Sequence, residues 1–369
     1  MIGVTGSSGF VDPVGELDPR PSFPPGPGAV AILGCGTIAQ SAHLPAYEQY
    51  GVGVVGVWSR TRETTAGVRD RFPFVEQVYS SAEEMLGDPR VEFVDIATPT
   101  EGRVRWVEAA VEAGKHVLVQ KPLAGTPAEL AALESVLERA RVRGVRVAAN
   151  QNGRWAPPWR LATQLVCNGA VGDVVGVTHL HDKPLPPLVG TPFDELDHML
   201  LTDYLNHWID ITHCWLDPSS VVTVQASDSR VPGQPEESRN PWSATINLTT
   251  ESGSTATLRI AGNVVTETPS APFWIHGTEG TIRGSVLLGS DRVSVDRPGG
   301  TVDYAVPGAW FVDGFAGTMA ELMSAVAEDR EPENSAAHAT TTVRLMLAAR
   351  DSAEQGGAPV AVPRPEGPE

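Results

Sequence analysis

Cysteine is scarce: Cys35, Cys167 and Cys214 are the only three in 369 residues, far apart and in no CxxC pair. That excludes a disulfide framework and a CxxC zinc site, and it points to a reducing compartment such as the cytoplasm. Long apolar runs are also missing. No stretch approaches the ~20 residues of a membrane-spanning helix, and mean hydropathy is −0.10. Positive charge is short, with 27 Lys and Arg against 45 Asp and Glu, a net −18. Nucleic acid and anionic membrane repel such a body, so neither is expected as a partner. No basic segment followed by an apolar one opens the chain, so no secretory signal is expected.

What is present falls into two patterns behind an unpatterned arm. Residues 1–28 hold six Gly and six Pro and are expected to be flexible. Within them, Val4-Thr5-Gly6-Ser7-Ser8-Gly9-Phe10 imitates a nucleotide-binding glycine turn. It lacks a preceding buried strand, and the prolines after it forbid a helix. From residue 29 to 150, short apolar strands alternate with helices, which predicts a doubly wound parallel α/β sheet. Beyond 150, to the end at 369, two helices over residues 157–168 and 201–215 precede strands that alternate apolar and polar residues, at 221–226, 244–248, 256–260 and 273–276. Two more helices are expected over 311–328 and 336–355. This half is predicted to be α+β, with a large, mostly antiparallel open sheet that serves substrate binding and homodimer or homotetramer assembly.

The first strand of the parallel part ends in Gly34-Cys35-Gly36-Thr37-Ile38-Ala39. Gly34 allows a tight turn and Gly36 lets a pyrophosphate approach the backbone. The helix start at Thr37 and Ile38 supplies unpaired N–H groups, and Ala39 permits close helix–sheet contact. A dinucleotide site is expected here. The second strand ends in Ser59-Arg60-Thr61-Arg62, with no carboxylate for a ribose 2′-OH. Two guanidiniums able to pair with a 2′-phosphate favour NADP over NAD as cofactor.

The stretch Gln120-Lys121-Pro122 at the end of a strand resembles the Glu-Lys-Pro signature of the Gfo/Idh/MocA family, named for glucose–fructose oxidoreductase and inositol dehydrogenase. Asp95-Ile96-Ala97-Thr98-Pro99 resembles that family's fourth strand, and Asn150-Gln151-Asn152-x-Arg154-Trp155 its crossing into the second domain. Asp203-x-x-x-His207-x-x-Asp210 is similar to its active-site helix. Gln120 stands where the family usually has Glu, Thr100 and Arg103 replace common Asn and His, and Leu205 replaces a frequent glycine. The resemblance implies cofactor contacts at Thr98, Pro99, Thr100, Gln120, Lys121 and Asn150. It also implies a Rossmann domain followed by an α+β domain, and an oxidoreductase.

Hydride transfer to or from a secondary carbinol requires the O–H proton to move as well. His207 is the candidate base or acid. Asp203, four residues earlier, could orient it or hold a neighbouring hydroxyl. Lys121 lies past the C-terminal end of a parallel strand, where ligands sit in such sheets, and its ammonium can stabilise a developing alkoxide. His179 and His181 alternate onto one strand face and are expected to line the substrate pocket, with Trp155, Trp208 and Trp310 as ring-stacking candidates. His179, His181, Asp203 and His207 could in principle hold a metal, but the hydride step needs none, and no metal is expected. The expected function is therefore NAD(P)-dependent oxidation or reduction of a sugar, sugar derivative or cyclitol. A redox-neutral oxidation–elimination–reduction with tightly bound NAD(H) would use the same residues; the second alternative, a sensor that has lost its chemistry, is disfavoured by the presence of Lys121, Asp203 and His207. The acidic body favours a neutral, sugar-like substrate. The Pro-rich loop at 184–197 is expected to shape specificity.

Overall fold

A computed structural model describes residues 17–26, 28–216, 221–287 and 289–362. The imitation glycine turn at 4–10 lies outside the described residues. The described residues form two compact units, one of Arg20–Trp155 with Gly308–Val343, the other of Ala156–Pro307 with residues 17–19 and 344–362.

The first unit carries strands β1 (Val30–Leu33), β2 (Val54–Trp58), β3 (Val75–Val78), β4 (Phe93–Ile96), β5 (His116–Gln120) and β6 (Val147–Asn150). Helices α1 (Leu44–Tyr50), α2 (Val68–Arg71), α3 (Ala82–Gly87), α4 (Val104–Glu112) and α5 (Pro127–Val142) connect them. All strand pairs are parallel, in the order β3-β2-β1-β4-β5-β6, the doubly wound arrangement of a Rossmann fold. Strands covered on both faces read as unbroken apolar runs, and every residue of β1 is fully buried. Helix starts are set locally. Thr126, the N-cap of α5, accepts from the Glu129 N–H, and the Glu129 carboxylate accepts from the Gly125 N–H at 2.9 Å, one residue before the cap.

The second unit begins with α6 (Pro157–Cys167), β7 (Val174–His181) and α7 (Asn206–Trp215). The strands β8 (Val221–Ser229), β9 (Ser243–Thr250), β10 (Thr255–Ala261), β11 (Pro272–Gly277), β12 (Thr281–Ser285), β13 (Arg292–Arg297) and β14 (Gly300–Tyr304) follow. Helices α8 (Phe315–Ala327) and α9 (Ala336–Glu354) and the short β15 (Val360–Ala361) complete the chain. The nine-stranded sheet runs β14-β13-β12-β11-β7-β10-β9-β8-β15 and is antiparallel except at β7–β10. In β9, Ala244, Ile246 and Leu248 are buried while their neighbours are partly exposed, as expected for a sheet with one covered face.

Two features depart from the sequence expectation. Residues 308–343 join the Rossmann unit, because α8 is apolar almost all round and buries Met319, Leu322 and Met323 in the core of Ile32, Phe93 and Leu118. The expected helix over 201–215 is also not uniform. Leu200–Tyr204 is wound as a π-helix, with Leu205 N–H bonded five residues back to Leu200 at 2.9 Å, before α7 begins. Part of the arm is placed as well: Phe23 packs its ring on Tyr50, centroids 5.8 Å apart.

Candidate active site

On the Rossmann unit, Gly34 has φ +100°, and a Cβ there would come within 2.9 Å of the Ala97 and Thr98 backbone. Only glycine fits. A Cβ on Gly36 would meet nothing within 4 Å, so the backbone is open on that side. The first helical bond runs from Gln40 N–H to Gly36 C=O, which leaves the preceding N–H groups without intrahelical partners. The buried Thr98 hydroxyl has no hydrogen-bond partner among the described residues either. These features fit a dinucleotide. Cys35, inside the turn, is a buried thiol pushed up to about 11 by burial and stays protonated.

At the C-terminal ends of β2 and β3 lies a cavity of about 390 Å³, lined by Trp58, Ser59, Arg60, Arg62, Thr65, Tyr79 and Ser80 among others. Among the described residues, neither Arg60 nor Arg62 is in an ion pair. Trp58 also meets Trp106 edge-on at 5.3 Å, and Arg105 stacks over Trp106 at 4.8 Å.

Beneath the strand ends is a buried network that the sequence did not announce. His43 Nδ1 lies 2.6 Å from Asp95 Oδ2, and the Tyr47 hydroxyl donates to the same oxygen at 2.6 Å. All three side chains are fully buried. Burial, reinforced by Asp95, pushes the Tyr47 phenol well above its usual range. A carboxylate only accepts, so Nδ1 is the donor to Asp95, and the other ring nitrogen, Nε2, faces the Gln120 and Asn150 amides. Gln120 Nε2 approaches that nitrogen at 3.5 Å and Asn150 Nδ2 at 3.4 Å, while Gln120 Oε1 accepts from the Lys121 N–H at 2.8 Å. Arg103, 2% exposed, donates to the Thr98, Gln120 and Pro122 carbonyls and ties the ends of β4 and β5 together. Lys121 itself is half-buried, just past β5, and the peptide to Pro122 is cis. A charged residue inside the otherwise apolar Phe93-Val94-Asp95-Ile96 was the one available sequence signal for this network.

Several residues expected to contact ligand are buried. Asn150 is completely sealed, accepts from Thr318 and adjoins the His43 network. Trp155 is 4% exposed, its ring pressed on Gly317, where a Cβ would come within 2.3 Å. Trp310 is likewise buried and donates to Asn152 Oδ1 at 2.7 Å. His179 is a core residue, boxed by Trp159, Phe273 and a stacked Trp215. Burial pushes it down to about 3.

On the second unit, Asp203 and His207 flank the change from π-helix to α7, and both are half-buried. Tyr204 lies between them, stacked on Trp208 at 5.9 Å. Its hydroxyl is 2.8 Å from His181 Nε2 and accepts from Lys183 Nζ at 3.2 Å. Among the described residues, His179, His181, Asp203 and His207, weighed above as a possible ligand set, are not grouped at metal-binding spacing. Among the described residues, the three-ligand grouping is Asp210, His213 and Cys214, all on α7.

Comparison with known proteins settles the class. A family model described as the oxidoreductase family with an NAD-binding Rossmann fold matches residues 29–151, and one described as the GFO/IDH/MocA C-terminal domain matches 159–283. The chain belongs to the GFO/IDH/MocA oxidoreductase family. It is 28% identical over 276 residues to the D-apiose dehydrogenase of Paraburkholderia graminis, covering 73% of this chain and 70% of that protein. It is also 28% identical over 284 residues to the 1,5-anhydro-D-fructose reductase of Ensifer adhaerens, covering 73% and 78%. A solved oxidoreductase from Agrobacterium radiobacter, in complex with NAD+, L-tartaric acid and magnesium, superposes with TM-score 0.78 over 90% of this chain and 98% of that one, at 23% identity. That last likeness concerns the fold. As a family member, the protein is an NAD-binding oxidoreductase. No helix among the described residues is long and apolar enough to cross a membrane.

Proposed function

We propose that this oxidoreductase transfers a hydride to or from a secondary alcohol or ketone carbon of a sugar, sugar derivative or cyclitol. The reading is carried by one observation above the others. Asp203 and His207 are half-buried at a break in helix winding, the kind of local irregularity that recurs at functional sites. The apiose and anhydrofructose enzymes to which the chain is similar support the substrate class.

When bound, the dinucleotide supplies the hydride acceptor or donor. The chain supplies the rest. His207 takes the carbinol proton in oxidation and returns it in reduction. Asp203 orients His207 or holds an adjacent hydroxyl. Lys121, its N–H fixed by Gln120, places an ammonium on the oxygen where negative charge develops. Arg60 and Arg62, unpaired at the cavity of about 390 Å³, favour the 2′-phosphate of NADP. The half-wet face of the nine-stranded sheet is the surface we assign to homo-oligomer formation, which light scattering coupled to gel filtration checks.

The test is spectrophotometric. The protein is mixed with NADP or NAD and a panel of sugars, sugar acids and inositols, and absorbance of free reduced cofactor is followed. Accumulation with at least one member is expected. Substrate conversion with no release of reduced cofactor would instead favour the redox-neutral route.

A further inference from the structure

Lys183 is 9% exposed, and lysine is almost never buried to that extent unless paired. Its recorded partners are the Tyr204 hydroxyl at 3.2 Å and the face of the same ring at 6.0 Å. No carboxylate pairs with it among the described residues. His181 and Lys183 stand two positions apart and both point inward, while the exposed Asp182 between them bridges to Ser270. An ammonium can only donate. Tyr204 therefore accepts from Lys183 and passes its own hydrogen to His181 Nε2. Burial, then the nearby Lys183 charge, pushes His181 down to about 3, so that imidazole is neutral and brings no counter-charge.

The result is an ammonium with one neutral partner and two unused hydrogens, beside a residue that sits between Asp203 and His207. Tyr204 precedes His207 by three positions, so the cluster adjoins the face that carries the proposed base. A neutral hydroxyl would fill a hydrogen-bond position but leave the charge uncompensated.

We propose that Lys183 is the anion-binding pole of the substrate site, and that the substrate is a sugar acid whose carboxylate lies on Lys183 Nζ beside Tyr204. The proposal rests on the dehydrogenase reading above and narrows its substrate class. It reverses the expectation of a neutral substrate drawn from the net charge of −18. A carboxylate suits the site better than a phosphate. The cluster contains one cation and no arginine fork, and Asp203 is next to Tyr204 in the chain, whereas phosphate dianions are held by several donors.

Calorimetric titration of the full-length, NADPH-loaded protein tests this. Matched pairs are used: glucose with glucuronate, galactose with galacturonate, and glucose 6-phosphate as the phosphate arm. At least one acid should bind about tenfold or more tightly than its neutral partner, the scale of one charge-assisted hydrogen bond. Lys183→Met should bring that ratio close to one, and Lys183→Arg should retain most of it, with thermal melts confirming that both variants fold. No acid preference in the wild type, or a preference that survives Lys183→Met, overturns the proposal. Tighter Lys183-dependent binding of the phosphate overturns the assignment to a carboxylate. An acid that binds through Lys183 but is not turned over, either with NADP or NAD or by a redox-neutral route, leaves the anion pole standing and sinks the oxidoreductase reading instead.

Discussion

Replacing Arg60 and Arg62 with alanine tests how the dinucleotide is chosen. Both guanidiniums belong to the cavity at the ends of β2 and β3, and neither is in an ion pair among the described residues. A 2′-phosphate entering there has no acid to displace. Charge-assisted hydrogen bonds are worth ~1.5–3 kcal/mol in sheltered sites. Both arginines are exposed, so screening lowers this to about 1 kcal/mol each. Each single substitution should then weaken NADPH binding about fivefold, and the double substitution roughly 20- to 30-fold, the two terms overlapping because they share one phosphate. NADH lacks the phosphate and should change by less than about twofold. Titration of NADPH and NADH by nicotinamide fluorescence measures both. Raising salt should weaken NADPH more than NADH in the wild type, and that difference should vanish in the double variant. Wild-type protein that binds NADH more tightly than NADPH, or a double variant that loses both equally, would refute the reasoning.

His207→Ala and Lys121→Met should each lower kcat by ~10²–10⁴-fold, the range for a positioned proton-transfer or charge-stabilising group; steady-state assays that show less than about tenfold would remove them from the chemistry. Asp95→Ala leaves the His43 Nδ1–H and the Tyr47 hydroxyl buried without their acceptor, a cost of about 2–4 kcal/mol. Urea unfolding at wild-type stability would contradict that account of the network. Arg103→Met removes the donor shared by the Thr98, Gln120 and Pro122 carbonyls and should raise KM for cofactor while costing ~2–3 kcal/mol of stability. The last prediction concerns pH. Burial holds His179 and His181 at about 3, against ~6.5 for an unfolded chain. Between those values only the unfolded state takes up the protons, so their stabilisation is whole above pH ~6.5 and drains away as pH falls, at up to ~1.4 kcal/mol per pH unit per histidine. His179→Phe should flatten the acid limb of a stability–pH curve, and an unchanged slope would show that the ring is not held neutral.

The Rossmann sheet was legible because its strands are buried on both faces. Val30-Ala31-Ile32-Leu33 admits no polar residue, and the glycine turn after it has a steric reason that shows in the letters. The far edge of the other sheet was not legible. β12, β13 and β14 are short and half-wet, and each is defined by pairing with its neighbour rather than by an apolar pattern of its own. The allegiance of α8 was hidden for the opposite reason. A helix that is apolar almost all round announces burial, but nothing in Phe315–Ala327 says against which sheet.

The same division separates the visible from the hidden parts of the site. His179 and His181 look equivalent in sequence, two steps apart on one face. Their roles differ because Trp159, Trp215 and Phe273 close over the first, while the second reaches Tyr204, 23 positions away. Lys183 continues that face into a proline-rich run, where periodicity gives no reason to follow it. His43 and Asp95 meet across 52 positions, and only an aspartate inside an apolar strand hinted at the pairing. Residues whose chemistry is fixed by their neighbours in the chain, such as Gly34, can be read in advance. Residues whose charge must be matched by a distant partner can be assigned only when that partner is in place. For Lys183 no carboxylate pairs with it among the described residues, and on the proposal above the opposite charge comes from the ligand.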